Sequence, residues 1–281
     1  MNSPSHTPLD VAIEPRNRHH DLKAALATDW FDGHAFKTAW FNAMSMTFPQ
    51  GEKFFIDSVR HFADRIDDPK LLAEIRGFCG QEGFHRREHE HYNRTLCSLR
   101  GYDYEYLENR LAKNIARGKK LMSPLEQLAA TAALEHITAI MAESSLADDS
   151  PMAQATDPVM RELWDWHAVE EMEHKAVAFD VYRAIGGTEK LRRRALRQAT
   201  FFLVVDILAG VVHMLRRDRK LWKLSQWVDG WKFLFFSDGI LRRIWPAYKD
   251  YFREGFHPWQ RDTRPLLDAW KRGQNLLSTT C

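Results

Sequence analysis

Two Glu-x-x-His pairs carry the chemistry in this sequence: Glu82–Gly83–Phe84–His85 and Glu171–Met172–Glu173–His174. Residues three apart share a helix face, so each pair can offer one carboxylate and one imidazole to a metal ion. Two lone glutamates, Glu52 and Glu135, precede the two pairs on what read as separate helices. The order is Glu, Glu-x-x-His, Glu, Glu-x-x-His, the ligand set of a four-helix bundle that holds two iron or manganese ions. Four carboxylates neutralise and bridge two such ions, and two imidazoles complete the shell while leaving positions open. A single Glu-x-x-His is weak, because both residues are common on solvated helix faces. Two in register with two further glutamates are a stronger signal. The stretch AATAALEHITAIM around Glu135 strengthens it, since small apolar neighbours suit packing rather than solvation.

Other polar residues crowd the same faces. His89 follows Glu82 and His85 at helical spacing, while His167 and Glu170 accompany Glu171 and His174. These are candidates for an additional ligand or for orienting the ligands, with His89 expected nearer to the metal than His167. Glu88, Glu90, His91 and Glu173 are expected to face solvent. A rival pattern overlaps the first pair: His85–Arg86–Arg87–Glu88–His89 matches H-x-x-E-H, in which two histidines bind one zinc and the glutamate activates water. It leaves Glu52, Glu82, Glu135, Glu171 and His174 unexplained.

The elements that position these residues are helical throughout, with no alternating β-branched run long enough for a sheet. A first long helix begins near Asp32, and Pro49 is expected to kink or restart it before Phe54, Phe55, Val59 and Phe62. A second spans Asp68–Pro69 to Arg100 and closes at Gly101. A shorter one occupies residues 104–118. Ser123–Pro124–Leu125–Glu126 is a capping box that opens the third long helix. The fourth opens at Asp157–Pro158 and is expected to run to Gly186–Gly187. The fold class is all-α: a ferritin-like four-helix bundle over residues 31–188 with additional C-terminal helices over 189–281. Residues 1–30 read as a mobile leader without the apolar core of a signal peptide.

The net charge of +2 over 281 residues hides an asymmetry: residues 1–188 carry −8 and residues 189–261 carry +9. The basic segment holds FFLVVDILAGVVHML, about fifteen apolar residues interrupted by Asp206 and His213, short of the roughly 20 that a spanning helix needs. It reads either as one more packed helix or as a peripheral contact with an anionic membrane surface. In the second case Trp222, Trp227 and Trp231 sit at headgroup level, and Arg192, Arg193, Arg194, Arg216 and Arg217 meet phosphates. Nucleic acid is disfavoured, because no recognisable module accompanies the charge. Scattered Cys79, Cys97 and Cys281 exclude a zinc ribbon and suit a reducing, cytoplasmic setting at or near the inner membrane face.

The segments FPQGEKFF, QEGFHRREH, ALEHITA and EEMEHKAVAFDVY together resemble a bacterial family catalogued as predicted metal-dependent hydrolases, over roughly residues 30–260. Its helical pattern in turn resembles the ferritin-like di-iron carboxylate superfamily. The resemblance implies metal ligation by Glu52, Glu82, His85, Glu135, Glu171 and His174, with two iron ions as cofactors and manganese or zinc as alternatives. The leading expectation is an O2-dependent oxidation of a small, lipophilic organic substrate: hydroxylation, desaturation or N-oxygenation, fed by an electron donor. Glu52, Glu135 and Glu171 are then the carboxylates that shift during catalysis. Metal-dependent hydrolysis is the alternative, and iron storage ranks last because a long basic, aromatic extension does not suit a storage shell. Trp40, Met44, Phe55, Phe84 and Met141 are candidates either for pocket lining or for plain core.

Overall fold

The computed structural model describes residues 5–279 except 148, 156 and 237, so Cys281 lies outside the described residues. Its helices are α1 (Lys23–Leu26), α2 (Ala35–Arg60), α3 (Pro69–Arg100), α4 (Tyr104–Leu121), α5 (Pro124–Leu146), α6 (Pro158–His174), α7 (Val177–Ala184), α8 (Glu189–Arg217), α9 (Leu224–Phe235), α10 (Ile240–Asp250) and α11 (Arg264–Thr279). No strand occurs among the described residues. The chain is an all-α helical bundle, as the sequence leads one to expect.

Local chemistry sets most boundaries. Asp68 caps α3 by accepting from the Lys70 N–H at 3.0 Å, with Pro69 behind it at the first helical position. Gly101 ends α3 at φ 66°, a left-handed conformation that glycine adopts without steric cost. The Ser123/Glu126 capping box opens α5, and Asp157 caps α6 through the Val159 and Met160 N–H groups, both at 3.0 Å.

Pro49 does not restart its helix, one of the two outcomes expected of it. α2 runs without interruption through it for 26 residues. A proline at position 49 removes the N–H that would bond the Ser45 carbonyl one turn earlier. Asn93 of α3 replaces it: its side-chain amide donates to the Ser45 carbonyl at 2.9 Å, and its Oδ1 accepts from the Ser45 hydroxyl at 2.8 Å. The broken hydrogen bond of one helix thus becomes a bond between two.

The expected single helix from Asp157–Pro158 to Gly186–Gly187 is two. It breaks at Lys175–Ala176, directly after His174. Lys175 is buried there and donates to the Arg261 carbonyl at 2.7 Å and to the Thr263 hydroxyl at 3.0 Å, partners that no local signal announces.

The expectation of a mobile leader is corrected for residues 5–30. Residues 13–15 lie across α3 where it carries two glycines. A Cβ on Gly77 would stand 2.6 Å from the Ile13 carbonyl oxygen, and one on Gly80 would stand 2.5 Å from Pro15 Cγ. Only hydrogen at both positions admits the strap. Beyond it, Leu22, Leu26, Trp30 and Phe31 are buried against α2 and α3.

α8 packs on α2 and α5 through Leu196, Ile207, Val211 and Met214. Its other face leaves Phe201, Phe202, Val204, Val205, Leu208 and Val212 exposed. The apolar run remains the roughly fifteen residues read from the sequence, but α8 as a whole is long and apolar enough to cross a membrane by length and composition alone.

Candidate metal centre

α2, α3, α5 and α6 bring Glu52, Glu82, His85, Glu135, Glu171 and His174 to one point in the middle of the bundle, each at most 3% exposed. The cluster has two halves. Ligand-type atoms of Glu82, Glu135, Glu171 and His174 lie within 4.8 Å of one another, and so do those of Glu52, His85 and His167. Glu171 joins the halves. Its Oε1 is 3.5 Å from His85 Nδ1 and 3.1 Å from His167 Nε2, while its Oε2 is 3.5 Å from His174 Nε2. His174 Nε2 also stands 3.2 Å from both Glu82 and Glu135.

The donor set fits metal ions by a direct test. Both carboxylate oxygens of Glu52, Glu82 and Glu135, Oε2 of Glu171, Nδ1 of His85 and Nε2 of His174 are buried without a hydrogen bond. Buried polar groups are rarely left so, and here the unsatisfied atoms all face one another. Hard oxygen and imidazole donors with no thiolate suit iron, manganese or zinc.

Electrostatics agree. Burial, followed by the neighbouring Glu82 charge, holds Glu52 well above the ordinary carboxylate range. Burial raises Glu82 likewise and pushes Glu135 up to about 8. Burial would lower His85, but Glu170 and Glu171 overcome it and hold the imidazole at about 10. His174 is raised in the same way, with burial opposed by Glu171 and Glu135. Glu171 itself falls well below its ordinary value, because His174, His167 and His85 outweigh its burial. The cluster gathers positive charge from its own imidazoles, the role a bound cation takes over.

Support comes from residues around the centre. His85 Nε2 lies 3.0 Å from Glu170 Oε2, and Arg16 of the strap lies 3.2 Å from the other oxygen of Glu170. His174 Nδ1 is bonded to Gln81 Oε1 at 2.9 Å, and the Gln81 amide donates to Glu173 at 2.9 Å. The Gln81 bond fixes the orientation and tautomer of His174, and the Glu170 carboxylate sets its charge against His85. The expected ranking of His89 and His167 is reversed. His167 faces Glu52, His85 and Glu171, whereas His89 stands behind it. His89 Nε2 bonds His167 Nδ1 at 2.9 Å, and its Nδ1 bonds the Ser45 hydroxyl at 2.8 Å.

Two expected solvent-facing residues are buried. Glu173 accepts from Arg16 at 2.7 and 2.8 Å. Glu88 accepts from the His20 backbone N–H at 2.8 Å and sits 2.9 Å from its Nδ1. Glu90 does pair with Arg94 at the surface, and His91 is exposed. Because Glu88 is taken up by His20, it is not positioned to activate a water between His85 and His89, and the H-x-x-E-H pattern has no zinc-peptidase geometry here. Sequence reasoning missed Gln81, Arg16, Ser45 and Asn93. Only the adjacency of Gln81 to Glu82 hinted at any of them.

The chain belongs to the family of predicted metal-dependent hydrolases. The family pattern matches residues 14–262, so it takes in Pro15 and Arg16 of the strap as well as every residue of the cluster. No curated protein and no solved structure matches the chain.

A cavity of about 940 Å³ reaches this centre, with His167 and Glu171 in its wall. Met44, Phe55 and Met141 line it as expected of a pocket. Trp40 is core, stacked on Phe36, and Phe84 lies under the Arg87 guanidinium, away from the cavity.

Proposed function

We propose that this protein is a dinuclear metal enzyme of ferritin-like architecture, with iron as its metal and an O2-dependent oxidation of an organic substrate as its reaction. One observation carries the reading: four buried carboxylates and two imidazoles on four helices, with inward atoms left without hydrogen bonds, in two groups that Glu171 of one joins to His85 and His167 of the other. Glu82, Glu135, Glu171 and His174 would hold one ion, and Glu52 and His85, with His167 beside them, the other. Bound iron supplies electrons to O2, which zinc cannot.

The chain does the rest. Glu170 and Gln81 orient the two ligand imidazoles. The Ser45–His89–His167 chain of hydrogen bonds fixes the tautomer of His167 and turns its Nε2 toward one oxygen of Glu171, whose other oxygen faces His174. Phe48, Trp164 and the methionines of the cavity wall exclude water and admit an apolar substrate as far as Glu171. The family description favours a second reading, in which the same six residues would hold zinc or manganese, whose Lewis acidity would serve hydrolysis by water.

Anaerobic loading with iron(II), metal analysis and exposure to O2 test the proposal. Two iron ions per chain and O2 uptake are expected, with Glu171→Ala losing more metal than Glu52→Ala because it serves both halves. Iron-loaded protein that takes up no O2, alongside ester or amide hydrolysis by the zinc form without oxygen, overturns oxidation in favour of the second reading. Failure to bind any metal ends both.

A further inference from the structure

The cavity has two unlike ends and an apolar middle. Its inner end is the candidate metal centre, at His167 and Glu171; its outer end lies between α4 and α8, where Leu121, Phe201 and Phe202 are exposed. At about 940 Å³ it stands near the top of the roughly 300–1,000 Å³ range of small-molecule sites.

Hydroxyls along the wall do not make the middle polar. Thr47, Thr138 and Ser145 turn their Oγ atoms back onto the carbonyls of Met44, Glu135 and Ala142 in their own helices. Away from the metal centre, charge gathers at the mouth. Arg110 and Asn114 of α4 reach across it to Asp206 of α8, at 2.9 and 3.1 Å, and so neutralise that carboxylate. Glu126 is held by the Ser123 N–H and hydroxyl. Arg117 of α4 and Arg194 of α8 are exposed at the opening, with Glu126 in electrostatic reach of Arg194.

We propose that this cavity binds a single-chain amphiphile with an anionic head, of the long-chain carboxylate type. The head lies at Arg117 and Arg194, and the chain runs inward to Glu171. The assignment rests on the centre being the reactive end of the cavity, and it puts the reacting position on the chain, far from the head. Length and charge are both read by this geometry: the apolar wall rewards each methylene, and the arginines reject a cationic head.

The test is displacement of dansyl-labelled undecanoate from the full chain, below micellar concentrations, with iron content measured on the same samples. From octanoate to decanoate to dodecanoate, each two-carbon step should tighten binding roughly tenfold. Dodecanoate should bind several-fold tighter than dodecyltrimethylammonium. Arg117→Glu with Arg194→Glu, both on the surface, should abolish or invert that head preference while keeping the length dependence. Ala199→Trp, in the cavity wall, should abolish binding of every chain. Affinity independent of chain length, or a head preference untouched by the double reversal, overturns the assignment. Protein that loads iron but displaces no probe sinks this inference and spares the proposed function. Length- and charge-dependent binding by protein that takes up no metal supports the cavity assignment and sinks the proposed function.

Discussion

Asn93→Ala should destabilise the fold, and Pro49→Ala should rescue part of the loss. Asn93 is fully buried, and its amide is the donor that the Ser45 carbonyl receives in place of the missing Pro49 N–H. Its Oδ1 also accepts from the Ser45 hydroxyl, but that hydroxyl keeps His89 Nδ1 as a partner at 2.8 Å after truncation. The loss therefore concentrates on one buried carbonyl left without a donor, which costs about 1–3 kcal/mol. Truncation adds a small packing defect, common to both backgrounds. With alanine at position 49 the backbone N–H returns and can bond the Ser45 carbonyl within α2. Asn93→Ala should then cost about 1 kcal/mol less than it does beside Pro49. Urea unfolding of wild type, both single variants and the double variant, followed by far-ultraviolet circular dichroism, measures this coupling as a double-mutant cycle. A coupling of zero would refute the argument, since Asn93 would then be acting by packing alone.

Two other perturbations follow from the same contacts. Arg16→Ala removes the cation that holds Glu170 and Glu173, both fully buried; Lys271 and Gln81 still reach Glu173, so the expected loss is about 1–3 kcal/mol by urea unfolding rather than the full cost of stranding a buried charge. It should also raise protease sensitivity within the strap, and unchanged cleavage there would count against the strap's attachment through Arg16. Chelation of metal-loaded protein should lower its melting temperature, because ions that bind only the folded state at a hundredfold excess over their dissociation constant stabilise it by about 2.7 kcal/mol. Protons compete for the same carboxylates and imidazoles, so this metal-dependent difference should shrink as pH falls. Equal melting temperatures with and without metal at neutral pH would contradict the assignment of the cluster.

How much of this could be read in advance follows from which distances are local. The helix starts at Asp68, Ser123 and Asp157 were legible because a cap bonds an N–H two or three residues on, within any short stretch of sequence. The Glu-x-x-His pairs were legible for a similar reason, since their spacing is a helical period. The continuation of α2 through Pro49 was not legible, because the compensating bond comes from Asn93, on another helix. Glu88 and Glu173 were misjudged because a helix bristling with charge resembles a solvated face until the strap that covers it is placed. The glycines of GFCGQEG held that information in a weak form: two small residues three apart on a helix invite a close neighbour, without saying which one.

The strap also links the leader to the metal centre. Residues 13–15 can cross α3 only at Gly77 and Gly80, and the crossing delivers Arg16 to Glu170 and Glu173. Glu170 stands against His85, and Glu173 accepts from the same Gln81 amide whose oxygen bonds His174. One arginine on an N-terminal segment therefore stands behind both ligand histidines, one through a carboxylate and the other through an amide. A helical bundle needs buried charge of this kind at its centre to bind metal, and isolated buried carboxylates are costly in the absence of metal. A strap carrying a cation offsets that cost from outside the bundle, leaving the inward oxygens of Glu52, Glu82 and Glu135 free for ligation. Residues 13–16 are in this sense part of the site and not an appendage to it.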